Sequence, residues 1–438
     1  MSRHGKQVFS TRTPQRAGHQ LLLLEGGSEL FPALIAAMDA ARRVVHLETY
    51  IFEFGGAALS VAEALERTAA RGVRVRLVVD GVGTPRIPAE WQQRFASAGV
   101  SWRIYAPLGR LGLLIPSRWR RLHRKLCVVD ETVGFCGGIN IIDDFDDVAL
   151  GRLSQPRLDF SLRVAGPLVA DMVDTMEPLW WRLQVVRKAK QREFKMAWAA
   201  LRETLPIGDF SDVLKLFRGS AGKPADDREG PNSLPEALQA VDSKGVDGAV
   251  AALLLRDNLA HRHDIERAYL KAIGEARHEI VIANAYFVPG RKLRRALTLA
   301  AGRGVRVRLL VQGRYENFFQ FHAARPVQQT LVTAGIEIRE YAPSALHAKV
   351  AVVDQRWATV GSTNLDPLSL LLAREANVLT TDARFAAIIH QRLDTLFNHA
   401  GASIDVPSLS GRGMLQRMLD RLAFGAMRAL LYLTGYRY

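Results

Sequence analysis

Cysteine is almost missing from this chain of 438 residues; only Cys127 and Cys136 occur. Two thiols cannot build a disulfide framework, so a reducing compartment is the simplest home. They flank an expected hairpin turn, which would make them neighbours, and the reading preferred is two half-buried core thiols. Long apolar runs are missing too. No stretch of about 18 consecutive apolar residues occurs, which excludes a helix that spans a bilayer. The first apolar run is four leucines ended by Glu25, too short for a secretion signal, so export is not expected. There is no cysteine and histidine spacing of the zinc type and no P-loop, so neither a metal nor a nucleotide cofactor is expected. The "HRHD" stretch at His261 to Asp264 reads as surface residues entering a helix, with Asp264 as its N-cap. Acidic residues are in short supply: 44 against 59 basic ones, for a formal charge of +15. Such an excess implies a polyanionic partner, whether nucleic acid, an anionic membrane or a phosphorylated substrate, and charge alone does not choose.

What is present is a globular composition, 48% hydrophobic and 24% charged, and a chain that repeats itself. "DAARRVVHLETYIF" at Asp39 to Phe52 is echoed by "EARHEIVIANAYFV" at Glu275 to Val288. "RGVRVRLVVDG" from Arg71 returns as "RGVRVRLLVQG" from Arg303, and "AGVSWRIYAP" from Ala98 as "AGIEIREYAP" from Ala334. Helical patterns alternate with short Val, Ile and Leu runs, which predicts an α/β fold of two duplicated lobes, each a sheet flanked by helices. The expected division is an N-terminal lobe over 1–200, a Gly, Pro and Asp-rich linker over 201–240, a C-terminal lobe over 241–400 and a basic amphipathic tail over 401–438.

The last echo carries chemistry. "HRKLCVVD" at His123 to Asp130 and "HAKVAVVD" at His347 to Asp354 share one spacing. In a strand, residues two apart face the same way, so His123 projects with Lys125, and His347 with Lys349. Asp130 and Asp354 fall on the opposite parity at the strand ends and are expected to anchor the turns or to support the histidines from behind. "GGIN" and "GSTN" follow, placing Asn140 and Asn364 17 residues after their histidines, on strands that return antiparallel. Two ammonium groups and two amides can clamp a phosphodiester anion, and neutral imidazole is a competent nucleophile near pH 7. One histidine can attack phosphorus while the other gives a proton to the departing alcohol.

These doubled motifs resemble those of the phospholipase D superfamily. The resemblance implies a bilobal α/β fold with both motifs at a pseudo-twofold cleft, and metal-free, cofactor-free transfer through a phosphohistidine. It also implies an acidic partner for each histidine: Glu375 in "REANV" and Asp159 in "RLDFSLRV". Ser362 keeps the family's serine, whereas Gly138 departs from it, with a hydroxyl contact expected to be lost on that side. Related enzymes often place the nucleophile in the first half, which favours His123 as nucleophile and His347 as acid/base.

The substrate must be read outside the motif. The first half is 12 residues longer just before His123, giving "LGRLGLLIPSRWRRL" at Leu108 to Leu122. Its apolar residues suit acyl chains and its arginines suit headgroups. The tail after Gly413 places Met414, Leu415, Met418, Leu419, Leu422 and Phe424 near one helical stripe with Arg417, Arg421 and Arg428 interspersed. It is either a last helix packed on the core or an interfacial helix, and the membrane reading is preferred. "LHRKLCVVD", "GGIN" and "RHDIERAYLKAI" most closely resemble bacterial cardiolipin synthases without amino-terminal transmembrane helices. That resemblance implies transfer of a phosphatidyl group between two phosphatidylglycerols, and peripheral attachment to the cytoplasmic face of the bacterial inner membrane. No nucleic-acid partner is expected, and the oligomeric state is not readable. A phospholipase D or another phosphatidyltransferase is the alternative, followed by a nuclease and an inert membrane-binding scaffold.

Overall fold

The computed structural model describes residues 15–108, 119–147, 150–190, 244–257, 261–314, 318–366, 369–405 and 413–433. The expected linker at 201–240 and most of the expected lipid loop, residues 109–118, lie outside them. The chain divides into two compact units, residues 1–172 with 244–438, and residues 173–243. The first holds both copies of the motif; within the second, a helix that starts at Leu168 continues to Lys190.

In the first half the strands are β1 (Arg16–Glu25), β2 (Val44–Thr49), β3 (Arg74–Asp80), β4 (Ser101–Tyr105), β5 (Arg121–Leu122), β6 (Lys125–Val129) and β7 (Val133–Gly137). A two-residue ribbon, β8 (Asp146–Asp147) with β9 (Gly151–Arg152), precedes β10 (Phe160–Ala165). The second half supplies β11 (Gly245–Arg256), β12 (Glu279–Asn284), β13 (Arg306–Gln312), β14 (Glu337–Tyr341), β15 (Lys349–Val353), β16 (Trp357–Gly361), β17 (Ala373–Thr380) and β18 (Ser403–Ile404). In both halves three strands run parallel (β2, β3, β4; β12, β13, β14) and the motif strand joins antiparallel (β6 on β2; β15 on β12). The half-sheets merge through antiparallel β1 and β11 into one mixed sheet. The α/β class and the duplication are therefore both present.

Helices cover the sheet because their apolar residues recur at helical spacing. In α1 (Asp264–Glu275), Ile265, Tyr269, Ala272 and Ile273 are buried, one stripe at i, i+4, i+7 and i+8. They pack on Ile280, Ile282, Val307 and Leu309 of the sheet. Asp264 is the first helical residue rather than the N-cap; His263 occupies the cap position, and its side chain faces Glu266 at 3.4 Å rather than capping the helix. Cys127 and Cys136 are unbridged and fully buried rather than half-buried.

Along one side the tail packs on the core. Helix α2 (Phe318–Thr333) carries His322, whose Nδ1 lies 2.5 Å from Asp420 of α3 (Met414–Leu433). Ala423 is buried in the same seam and Phe424 half-buried against the core. The other side of α3 leaves Met414, Leu415, Met418 and Leu422 between 51% and 84% exposed. No helix among the described residues is long and apolar enough to cross a membrane.

The motif aspartates turn out to be hairpin anchors. Asp130 and Glu131, like Asp354 and Gln355, have φ between 49° and 61°, a left-handed conformation that costs L-residues about 1 kcal/mol each. The Asp130 carboxylate accepts from the backbone N–H of Arg42, Arg43 and Val44 at 2.7 to 2.9 Å. Asp354 does the same for Arg277, His278 and Glu279 at 2.8 Å. Charge-assisted bonds of this kind offset the strain. Asp354→Ala is expected to cost about 2–3 kcal/mol, read as a lower denaturant midpoint, with Asp354→Asn recovering part of it.

Candidate active site

Each motif histidine sits just before its strand, where the other half reaches across. The His123 backbone N–H donates to the Arg374 carbonyl at 3.0 Å, and the His347 N–H to the Leu158 carbonyl at 2.8 Å. Those carbonyls belong to the residues preceding Glu375 and Asp159. The side chains repeat the exchange: His123 Nδ1 lies 3.0 and 3.1 Å from the two Glu375 oxygens, and His347 Nδ1 lies 2.5 Å from Asp159 Oδ2. Each histidine is thus held by the carboxylate of the opposite half. A carboxylate on Nδ1 selects the Nδ1–H tautomer and leaves Nε2 with its lone pair for chemistry. Lys125 Nζ donates to the His123 carbonyl at 2.7 Å, and Lys349 donates to the His347 carbonyl. Lys349 also lies 3.9 Å from Asp159. Asn140 and Asn364 are buried on the returning strands' far ends, Asn140 accepting from the Ile51 N–H at 3.1 Å.

The glycine that departs from the family pattern has a steric reason. Ser362 Oγ donates to Glu375 Oε2 at 2.5 Å and accepts from the Ala376 N–H at 3.1 Å, so it fixes the longer acid. A Cβ at Gly138 would come within 2.7 Å of Asp159 Oδ2 and closer still to Oδ1. Gly138 therefore makes the room that the Asp159 carboxyl fills, and what stands there is a shorter acid seated against bare backbone, steadied by the Phe160 N–H at 2.8 Å.

Burial dominates the electrostatics. It lowers His123 against the pull of Glu375, and holds His347 well below its usual value, helped by Lys349 and Lys125. Both imidazoles are consequently neutral at pH 7. Asp159 is pushed up to about 6 by burial, although Lys349 draws it down. Burial brings Lys125 down to about 7, against Glu375. A bound oxyanion favours the charged ammonium, so above pH 7 binding must take up a proton. Sulfate, whose own charge is constant there, is expected to bind up to about tenfold more weakly per pH unit above 7. Isothermal titration checks this, and Lys125→Arg should flatten the dependence because guanidinium stays charged.

Both histidines, both lysines and both acids are brought together here, Asn140 and Asn364 are buried beyond the returning strands, and the anchors Asp130 and Asp354 stand at the far strand ends. Three contributors were not read from the sequence. The Tyr50 ring lies 5.0 Å from the His123 ring and 5.6 Å from Lys125 Nζ. Asp80 accepts from the Leu122 N–H at 2.7 Å and pairs with Arg121 at 3.0 Å, fixing the approach to His123. Gln312, its counterpart, reaches the Leu346 carbonyl at 3.5 Å. The signal was the internal repeat itself, which aligns Tyr50 with Tyr286 in one segment and Asp80 with Gln312 in another. Arg121 corrects one expectation: it was assigned to lipid headgroups, but Asp80 and the Ala106 carbonyl turn it inward.

Comparison with known proteins identifies the family. Residues 34–144 and 269–398 match the family model described as cardiolipin synthase, PLD-like domain. Cardiolipin synthase B of Salmonella typhi is 33% identical over 422 residues, covering 96% of this chain and 91% of its own length. The protein of that name from Escherichia coli K12 is 33% identical over 430 residues, with the same coverage. A crystal structure of phosphatidylserine synthase from Haemophilus influenzae superposes with a TM-score of 0.62 over 96% of both chains at 13% identity, which speaks for the fold alone. With both halves matched and a third of the residues shared along nearly its whole length, the chain belongs to the cardiolipin synthase family of phospholipase D-like proteins.

Proposed function

We propose that this protein is a phosphatidyltransferase of the cardiolipin synthase type, which joins two phosphatidylglycerols and releases glycerol. The observation that carries the reading is the pair of histidines, each with Nδ1 on a carboxylate, beside two lysines. His123 Nε2 attacks the phosphorus of the donor and the bond from phosphorus to the glycerol oxygen breaks. His347, charged once the phosphodiester anion is bound, gives that oxygen its proton. In the second step His347 takes the proton of a hydroxyl on the acceptor phosphatidylglycerol. That oxygen displaces His123 from phosphorus, giving cardiolipin. Lys125, Lys349, Asn140 and Asn364 hold the non-bridging oxygens throughout. Asp159 and Glu375 keep the imidazoles oriented, and Ser362 and Gly138 seat those acids.

The enzyme works at an anionic membrane as a peripheral protein of the bacterial inner membrane's cytoplasmic face. The exposed stripe Met414, Leu415, Met418 and Leu422, flanked by exposed Arg417 and Arg421, supports this contact. Met418→Asp with Leu422→Asp is expected to lower partition onto phosphatidylglycerol vesicles at least about tenfold, measured by cosedimentation, with far less effect on detergent-dispersed lipid.

The deciding experiment incubates the protein with phosphatidylglycerol mixed micelles in EDTA and resolves products by mass spectrometry. Cardiolipin with free glycerol is the expected result. Phosphatidic acid alone would make the protein a phospholipase, and no lipid product would overturn the reading.

A further inference from the structure

The second half carries charge at three positions where the first has none. After the shared glycine that ends one repeated segment, Gly81 and Gly313, the first half continues with Val82 and the second with Arg314. Aligned on the shared Ala-Gly at Ala98 and Ala334, Arg325 stands where the first half has Ala89, and Glu340 where it has Ile104. All three line one pocket at the carboxyl ends of parallel β12, β13 and β14, the edge at which ligands bind in open α/β sheets. The fold itself does not require this charge, because the first half builds the same three parallel strands without it.

The charges do not cancel. Arg325 pairs with Glu340 at 2.9 Å, donates to Gln328 Oε1 at 3.1 Å and lies over the Phe321 ring, 4.3 Å from its centre. Arg314 donates to the Pro343 carbonyl at 3.1 Å and meets no carboxylate among the described residues, which leaves the pocket one net positive charge. Gln328 supplies a further donor: it is 5% exposed, and its Nε2 has no partner among the described residues. In the first half the aligned amide, Gln92 Nε2, donates to the Ile87 carbonyl at 2.8 Å. A buried amide N–H left open beside a cationic pocket is costly unless a ligand accepts from it. The rest of the wall is apolar, from Val288, Val311 and Ala324. An arginine fork and an amide N–H match phosphate oxygens, and the single charge of a phosphodiester balances the pocket. Inorganic phosphate carries more charge at neutral pH and has nothing to lay on the apolar wall.

The helix that forms one wall points to the source of the phosphate. Phe321, Ala324, Arg325 and Gln328 all belong to α2, and α2 is the helix on which α3 docks through His322 and Asp420 at 2.5 Å. Helix α3 in turn presents the exposed stripe of Met414, Leu415, Met418 and Leu422. We propose that this pocket is an anion site that takes the phosphodiester of an anionic phospholipid, separate from the phosphodiester being cut. An apolar stripe holds a membrane without regard to headgroup, because burial of apolar surface is non-directional. The pocket adds a hold that reads the phosphate itself. The inference rests on the membrane-lipid reading of the protein and not on which alcohol the transfer uses.

The test counts lipid bound to the full chain carrying His123→Ala, which does not turn over. Equilibrium dialysis with labelled dihexanoylphosphatidylglycerol, kept below its micelle concentration, is expected to give two molecules per chain, one at the histidines and one in the pocket. Two further changes are added singly to that chain: Gln328→Leu, which removes the open N–H at nearly constant volume, and Arg314→Gln, at a partly exposed position where folding is not at stake. Each should weaken one site about tenfold, the loss of a hydrogen bond to a charged group, and leave the other alone. Binding that neither variant weakens would overturn the proposal. A single site that both variants weaken would count against lipid at the histidines, and so against the transfer reading, while the pocket stands. Inorganic phosphate at equal concentration is expected to leave lipid in the pocket; if it displaces the lipid, the ligand is the free anion and the lipid assignment falls.

Discussion

His347→Ala is expected to lower cardiolipin formation by at least about 10³-fold, and His123→Ala by as much or more. The two losses should differ in kind. Glycerol is a poor leaving group and needs the His347 proton, whereas p-nitrophenol leaves without one. With phosphatidyl-p-nitrophenol as donor, His347→Ala should therefore still release a burst of nitrophenol and carry a phosphatidyl group on His123, visible by mass spectrometry of the intact protein. His123→Ala should give neither burst nor adduct. Finding the adduct in His123→Ala instead would reverse the roles. Vesicle binding serves as the control for folding, because the exposed stripe of α3 contains neither histidine.

Asp159→Asn is expected to cost about 10³- to 10⁴-fold in turnover without loss of stability above pH 6, a combination that separates orientation from folding. An amide can face His347 with its NH₂ and favour the wrong tautomer, which abolishes the proper use of Nε2. The stability side follows from the direction of the shift. Burial lifts Asp159 from its ordinary 3.8 to about 6 in the folded protein. Any stability from this raised value is complete below pH 3.8 and is lost as pH rises through 6. Above that, the ionised carboxylate is a burden that the amide removes. Activity of the wild type should fall on the acid side as Asp159 takes up a proton near pH 6, and this limb should vanish in Asp159→Asn. A melting temperature several degrees lower at pH 8 would instead mark Asp159 as a structural residue.

Much of the site was legible because its signals are local. Strand parity puts His123 beside Lys125 and His347 beside Lys349, and a hairpin of set length returns the chain so that Asn140 and Asn364 lie buried beyond its second strand. The turn role of Asp130 and Asp354 also follows from parity, since a residue on the opposite face at a strand's end cannot join the histidines. The repeated segments imply two similar half-sheets without any knowledge of how they meet.

How they meet was decided by the tertiary structure. Nothing within either half says that Glu375 serves His123, 252 residues away, while Asp159 serves His347. That exchange comes from antiparallel β1 and β11 fusing the half-sheets, which lays β5 alongside β17. The inward turn of Arg121 depends on Asp80 arriving from another strand, and the fit of Gly138 on the size of an acid 21 residues later. Helix α3 shows the same limit, because an amphipathic pattern gives the apolar residues but not which of them a neighbour will cover. Spacing along the chain determined the chemistry this protein carries. Contacts between residues far apart in sequence determined which group acts on which, because those depend on packing that no local geometry encodes.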